Sequence, residues 1–217
     1  TALRAKALSI VGLSYYYSLH PNKTKIKNLI HELADDLLNN FEDVSQPNWQ
    51  WFERYLSYSH GRLPHALLMA YAVTQNPKYL EVAEKSLKFL ADLLIINSEL
   101  VVAGDKEWYE QDGVRSFYSQ LPIDASCLVE AFVLAHQITQ NKDYYNHAQN
   151  CFKWFFGKNS TKESLYDQNT GGCFNGLPIK GTNGKQSAEA TTAYILAYLA
   201  FLELKEKIFI PGFEVKK

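Results

Sequence analysis

Thr74-Gln75-Asn76-Pro77-Lys78-Tyr79 and Thr139-Gln140-Asn141-Lys142-Asp143-Tyr144 are two versions of one turn, set 65 residues apart. The apolar residues before them repeat at the same offset: Leu67, Leu68, Ala70 and Val73 map onto Phe132, Val133, Ala135 and Ile138. His20-Pro21-Asn22-Lys23 reads as an earlier copy of the turn. The repeating unit is a helical hairpin: helix, tight turn, helix, then a long connection to the next hairpin.

Working outward from those turns, apolar residues at spacings of three and four predict seven helices. The first covers about Leu3–Leu19, with Leu3, Ala7, Ile10, Val11 and Ser14 on one side. The second covers Lys23–Phe41, with Ile26, Leu29, Ile30, Leu33, Leu37 and Phe41 on its apolar face. The third is Leu63–Thr74, with Pro64 in a first turn that tolerates proline, and the fourth is Lys78–Ile95. Ile123–Thr139, opened by Pro122, is followed by Lys142–Phe156 and Ala188–Glu206. Alternating runs are short and lie inside glycine-rich connections, so the fold class is all-α. If the tight turns share one end of the packed helices, the long connections Glu42–Arg62, Asn97–Pro122 and Gly157–Ser187 share the other. Loops gathered on a rigid scaffold are where function concentrates.

The chain has 217 residues, enough for one domain with a sizeable core. At 47% hydrophobic and 21% charged it is not a disordered sequence. Twenty-two Lys and Arg against 23 Asp and Glu leave a net charge of −1, which argues against a nucleic-acid partner. The apolar run Leu93–Ile96 lies beside Asp92 and Glu99, and no run reaches the roughly 18 residues a membrane span needs. No signal peptide is visible, although the chain opens on Thr1. Cys127, Cys151 and Cys173 are widely spaced without a C-x-x-C pair, the pattern of a reducing, cytoplasmic protein without disulfides or a zinc ribbon. His60 and His65 are five residues apart with no matched carboxylate, so no metal is expected. No G-x-S-x-G elbow or phosphate loop is present, and no cofactor is expected.

Aromatic residues make up 14% of the chain, and their placement matters. Trp49, Trp51 and Trp108 fall in the long connections, joined by Tyr58, Tyr109, Tyr118, Tyr166 and Phe174. Trp154 reads as a core residue in mid-helix. A cleft of aromatic faces edged with carboxylates suits sugars, whose C–H faces stack on rings while their hydroxyls need hydrogen bonds. Three carboxylates are candidates. Glu53 follows Trp49-Gln50-Trp51-Phe52, where apolar surroundings would favour the protonated form a general acid requires; a salt bridge to Arg54 is the alternative. Asp124 follows Gln120-Leu121-Pro122-Ile123 in the first turn of a helix, where a carboxylate also serves as a cap or dipole partner. Glu189 opens another helix, three residues after Gln186, and the same alternative applies. Arg62 precedes a helix start and is placed to meet a loop carboxylate or sugar hydroxyls. Between Tyr166-Asp167 and Gln186, the segment Thr170-Gly171-Gly172-Cys173-Phe174-Asn175-Gly176-Leu177 can form a small hairpin.

Taken in order, Trp49-Gln50-Trp51-Phe52-Glu53, Arg62-Leu63-Pro64, Gln120-Leu121-Pro122-Ile123-Asp124-Ala125, Tyr166-Asp167 with Thr170-Gly171-Gly172, and Ser187-Ala188-Glu189-Ala190-Thr191 resemble the (α/α) toroid domains of the six-hairpin glycosidase-like group. The likeness is to the branch found beside or fused to glycosyltransferases, and it spans about residues 1–204. It implies a single domain over 1–217, a partial or complete toroid, or the C-terminal part of a larger one, since a full toroid has twelve helices. It implies a glycoside hydrolase with Glu53, Asp124 and Glu189 as catalytic carboxylates. The substrate-binding residues would be Trp49, Trp51, Tyr58, Arg62, Trp108, Gln120, Tyr166, Asp167, Asn175 and Gln186, and the partner an oligosaccharide or glycan. Three positions depart from the family pattern: Asn175 stands where an acid is expected, and Ser187 and Ala190 replace Gly and Ser. These departures and the short helix count leave two alternatives, a non-catalytic glycan-binding or accessory module of a glycosyltransferase and a protein-binding helical scaffold. The paired histidines of a sugar epimerase or isomerase are not evident. Missing hairpins would leave an exposed apolar helix face, covered by a partner domain or a second copy.

Overall fold

In the computed structural model, residues 2–104 and 108–206 are described. Among them the chain forms α1 (Leu3–Leu19), α2 (Thr24–Val44), α3 (Arg62–Thr74), α4 (Pro77–Leu94), α5 (Pro122–Thr139), α6 (Lys142–Lys153) and α7 (Ala188–Glu206). The two turn copies share their helix-ending and helix-capping bonds. Thr74 and Thr139 each donate from Oγ1 to the carbonyl four residues back, Ala70 and Ala135, at 2.7 Å. Gln75 and Gln140 then take left-handed φ of 61° and 58°, which ends each helix. Asn76 and Asn141 cap the next helix, accepting from Lys78 N at 3.2 Å and Asp143 N at 2.9 Å. The first turn departs from this pattern: His20 has φ −135° and α2 has no side-chain cap.

α1, α3, α5 and α7 pack in succession as an inner row, and α2, α4 and α6 lie outside it. Inner helices are apolar on nearly every side; α3 buries every residue from Arg62 to Ala70. Such a helix needs neighbours all round. Contact is closest where α3 begins, because a Cβ on Gly61 would sit 2.7 Å from the Cys127 carbonyl carbon. Only glycine allows that approach. At the ends of the row, α1 exposes Leu8 and Leu19 and α7 exposes Ile195 and Leu199, the apolar faces expected of fewer hairpins than a ring needs.

The long connections meet on one face. β1 (Tyr55–Leu56) pairs antiparallel with β4 (Tyr109–Glu110), tying the first connection to the second. Gln120 and Leu177 exchange backbone hydrogen bonds of 3.2 and 2.8 Å, tying the second to the third. β2 (Ile95–Ile96) and β3 (Glu99–Leu100) form a short hairpin at the end of α4. The glycine-rich third connection folds back through bridges Tyr166–Cys173 and Phe174–Gln186. α2 runs three residues past its expected end. α6 stops at Lys153, before its expected end at Phe156, so Trp154 is a core residue just beyond the helix rather than within it. No helix among the described residues is long and apolar enough to cross a membrane.

Candidate functional site

The first turn of α5 delivers Asp124 to the loop face, almost fully buried. Its Oδ1 accepts from the backbone N–H of Ser59, which sits at a left-handed φ of 50°, and lies 3.6 Å from His60 Nδ1. His60 is fully buried, and its Nδ1 donates to the Ser57 carbonyl at 3.1 Å. Burial pushes His60 down to about 4, outweighing the hydrogen bond to the Ser57 carbonyl, and the charges of Arg4 and Arg115 act in the same direction as burial. At neutral pH the contact is therefore carboxylate against neutral imidazole, not an ion pair. The His60 Nε2 atom is buried with no partner.

On the other side of residues 57–60 stands Arg4 of α1. Its guanidinium holds Glu53 through two hydrogen bonds, 3.2 Å to Oε1 and 2.9 Å to Oε2, while Nε donates to the Tyr58 carbonyl at 2.6 Å. It also lies over the Tyr58 ring at 5.1 Å. Glu53 is thus a half-buried carboxylate matched by a cation, not an acid isolated among aromatics, and its partner is Arg4 rather than Arg54. The sequence reading missed Arg4, although its signal was available: the start of α1 lies at the loop end once the turns are placed at the other.

The tryptophans divide. Trp49 and Trp51 are buried, so neither can floor a cleft. Trp49 packs edge-on against Phe89 and Tyr109 at 5.1 and 5.5 Å and donates from Nε1 to the Glu53 carbonyl. Trp51 packs against Phe52 and Phe89. The first connection folds under itself because this aromatic cluster removes so much apolar surface from water. Trp108 is 53% exposed and stacked on Tyr55 at 4.6 Å and 19° between planes, and Tyr58 is 55% exposed. Those two keep open faces.

Arg62 and Gln120 are taken up by the fold. Arg62 makes two 2.9 Å hydrogen bonds to Glu130 and donates to His65 Nδ1 at 2.8 Å and Cys127 Sγ at 3.3 Å. Gln120 is fully buried: Oε1 accepts from Val102 N and Trp154 Nε1, and Nε2 donates to the Phe117 carbonyl and Ser160 Oγ. With its donors and acceptors engaged, it cross-links two connections instead of meeting a ligand. Burial pushes the Cys127 thiol up to about 12, which leaves it protonated and non-nucleophilic.

In the third connection, Asp167 accepts from Asn169 N, Thr170 Oγ1 and Gln186 Nε2 at 2.9 to 3.0 Å. These bonds, that from Asn169 first, hold its carboxyl below the usual range. Gly172 lets the Gln186 side chain lie against it, since a Cβ there would meet Oε1 at 2.2 Å. Gln186 and Glu189 are exposed, Asn175 and Tyr166 half-buried, and Tyr166 stacks on Tyr194 at 4.5 Å. The Asn175 side-chain oxygen has no partner. The structure therefore gathers Glu53 and Tyr58 around Arg4, sets Asp124 against the next two residues of the same segment, Ser59 and His60, and joins Asp167 with Gln186 in a second group. No hydrogen bond joins the two groups among the described residues. Nor does any cluster of three His, Cys, Asp or Glu there form a metal site.

Two solved structures share the fold. A GH76 α-mannanase from Bacteroides thetaiotaomicron matches with a TM-score of 0.67 at 13% identity, over 97% of this chain and 55% of its own. A D-mannose isomerase matches with a TM-score of 0.59 at 21% identity, over 98% of this chain and 59% of its own. Both are (α/α) toroids, so the helical hairpins described above are toroid hairpins. The chain spans a little over half the length of either. No protein-family model and no curated protein matches the sequence.

Proposed function

We propose that this chain is a carbohydrate-active domain that takes a glycan across its loop face. The observation that carries the reading is the exposed Trp108–Tyr55 stack, joined through the β1–β4 pair to the segment that contains Glu53 and Tyr58 and meets Asp124 of α5 through Ser59. A flat aromatic surface beside fixed polar groups suits a pyranose ring. Trp108 and Tyr58 supply the stacking faces, and Asp167, Asn175 and Gln186 the hydrogen bonds to hydroxyls. Support also comes from the fold neighbours, both sugar enzymes by name. Hydrolysis would draw an acid and a base from Asp124, Glu189 and Glu53. A second reading, a glycan-binding or accessory module without catalysis and serving a glycosyltransferase, is favoured by the two-point grip of Arg4 on Glu53 and by Asn175 in an acid's place. Three buried, unpaired thiols suit a cytoplasmic setting.

The test is a panel of oligosaccharides assayed for both binding and product, with Asp124→Asn and Glu189→Gln as variants. Turnover that either variant abolishes while binding persists supports the hydrolase. Saturable binding with no product over long incubation selects the accessory module. Binding of no glycan at all overturns both and leaves the protein-binding scaffold.

A further inference from the structure

The third connection holds both Asn-Gly pairs of the sequence, Asn175-Gly176 and Asn183-Gly184. Asparagine before glycine is chemically vulnerable. With no Cβ on the following residue, nothing shields its backbone nitrogen from the asparagine side-chain amide. Both pairs carry the same chemistry, so the fold sets the difference between them.

Asn175 is held on both sides. It is half-buried, and its N–H donates to the Lys185 carbonyl at 2.9 Å. Its neighbours are tied as well, Phe174 N to the Leu165 carbonyl at 2.9 Å and Leu177 N to the Gln120 carbonyl at 2.8 Å. Gly176 lies against the scaffold, since a Cβ there would meet the Gln120 carbonyl oxygen at 2.9 Å. Turning the main chain to bring the Gly176 nitrogen onto the Asn175 side chain breaks these bonds, so reaction waits on local opening.

Asn183 has none of this restraint. It and Gly184 are exposed, Gly184 sits at φ +71°, and a Cβ on it would meet nothing within 4 Å. Neither backbone nitrogen donates to a carbonyl among the described residues. The Asn183 Oδ1 accepts from Lys185 N at 3.0 Å. That Asx-turn folds the side chain around the Gly184 peptide and polarises its carbonyl toward attack.

We propose that Asn183 is a site of spontaneous covalent modification, passing through a succinimide to aspartate and isoaspartate, and that the fold protects Asn175 from the same reaction. The Gly184 amide nitrogen loses its proton to solvent base and attacks Asn183 Cγ. The new N–Cγ bond closes the ring as the Cγ–Nδ2 bond breaks, and Nδ2 leaves as ammonia with a proton from solvent. Water then opens the ring, at Cγ to give aspartate or at the main-chain carbonyl to give isoaspartate. Either product adds a negative charge to a chain of net charge −1. The isoaspartyl product also lengthens the backbone close to Gln186, whose Nε2 donates to Asp167 at 3.0 Å.

The test stores the whole chain in mildly alkaline buffer and follows both pairs by peptide mapping with mass spectrometry, with the chain in guanidinium chloride as comparison. In the folded chain Asn183 should convert at least about tenfold faster than Asn175, and in denaturant the two rates should come within about threefold of each other. Gly184→Ala should slow conversion at Asn183 by about tenfold or more and leave Asn175 unchanged. If that variant does not fold, the comparison of folded and denatured native chain decides. An intact Asn183 in the folded chain, equal rates at the two pairs there, or the same gap persisting in denaturant overturns the proposal.

Discussion

Arg62, the first residue of α3, closes a two-point ion pair with Glu130 in the middle of α5, each guanidinium nitrogen 2.9 Å from a carboxylate oxygen. Burial works against the charge on Glu130, yet the Arg62 hydrogen bonds and charge hold its carboxyl below the usual range. Both groups lie between inner helices, so the pair fixes how α3 and α5 sit side by side. An arginine that reads in sequence as a sugar contact is instead a clamp inside the scaffold.

Breaking that clamp from one side strands a buried charge. Arg62→Ala or Glu130→Ala should each lower stability by about 3–5 kcal/mol, and Arg62→Met with Glu130→Leu should recover most of the loss. Urea unfolding of the three variants measures this. A single variant of wild-type stability that loses only glycan binding would return Arg62 to the sugar site.

The tryptophans separate in the same way. Trp51→Ala should cost about 3–5 kcal/mol by opening a cavity among Phe52 and Phe89. Trp108→Ala should leave stability within about 0.5 kcal/mol and weaken glycan binding about tenfold or more. Thermal unfolding beside a binding isotherm checks both; equal affinity in Trp108→Ala would remove the platform.

Acid should weaken the fold through His60 and His65. Each is held neutral at about 4 in the folded chain, mainly by burial, against 6.5 as the ordinary value. The unfolded chain therefore binds more protons between those two pH values. Stability should fall as pH drops from 6.5 to 4, by about 1.4 kcal/mol per pH unit for each histidine, and the histidine contribution should stop changing below that. The raised carboxyl of Glu203 works in the opposite direction. Unfolding free energies at pH 7, 5.5 and 4.5 test it, and no decline across that range would mean that the two rings are not buried neutral.

The repeated turn predicts matched effects at two distant places. Asn76→Ala and Asn141→Ala should each cost about 1 kcal/mol as lost helix caps, and the double variant should be additive. Gln75→Gly and Gln140→Gly should stabilise, because glycine carries no penalty at left-handed φ. Unequal losses at the two turns would show that one cap is redundant.

How far the sequence reached depended on the range of the interaction involved. The turns, the helices and the crowding of three connections onto one face follow from local spacing and chain order. Asp124 at the loop end of α5 is legible in the same way, being a first-turn residue of a helix that opens there. Arg4, Trp51 and Gln120 were not legible. The partners of Arg4 lie 49 and 54 residues away, and Trp51 is buried by Phe89 on another element. A loop tryptophan that folds inward looks the same in sequence as one that faces solvent.

The sequence by itself determined the hairpin, its turn chemistry and its repetition, because helix periodicity, a left-handed residue and an Asn cap act over a few residues. Tertiary structure alone decided which polar groups are spent on the fold and which remain free. Glu53 is matched by Arg4, Gln120 is engaged at every donor and acceptor, Arg62 is locked to Glu130 and Gln186 is bonded to Asp167, while Trp108 and Glu189 stay open. A buried polar group must find a partner wherever the packed chain provides one. That partner is set by the geometry of the whole inner row, not by neighbours in sequence.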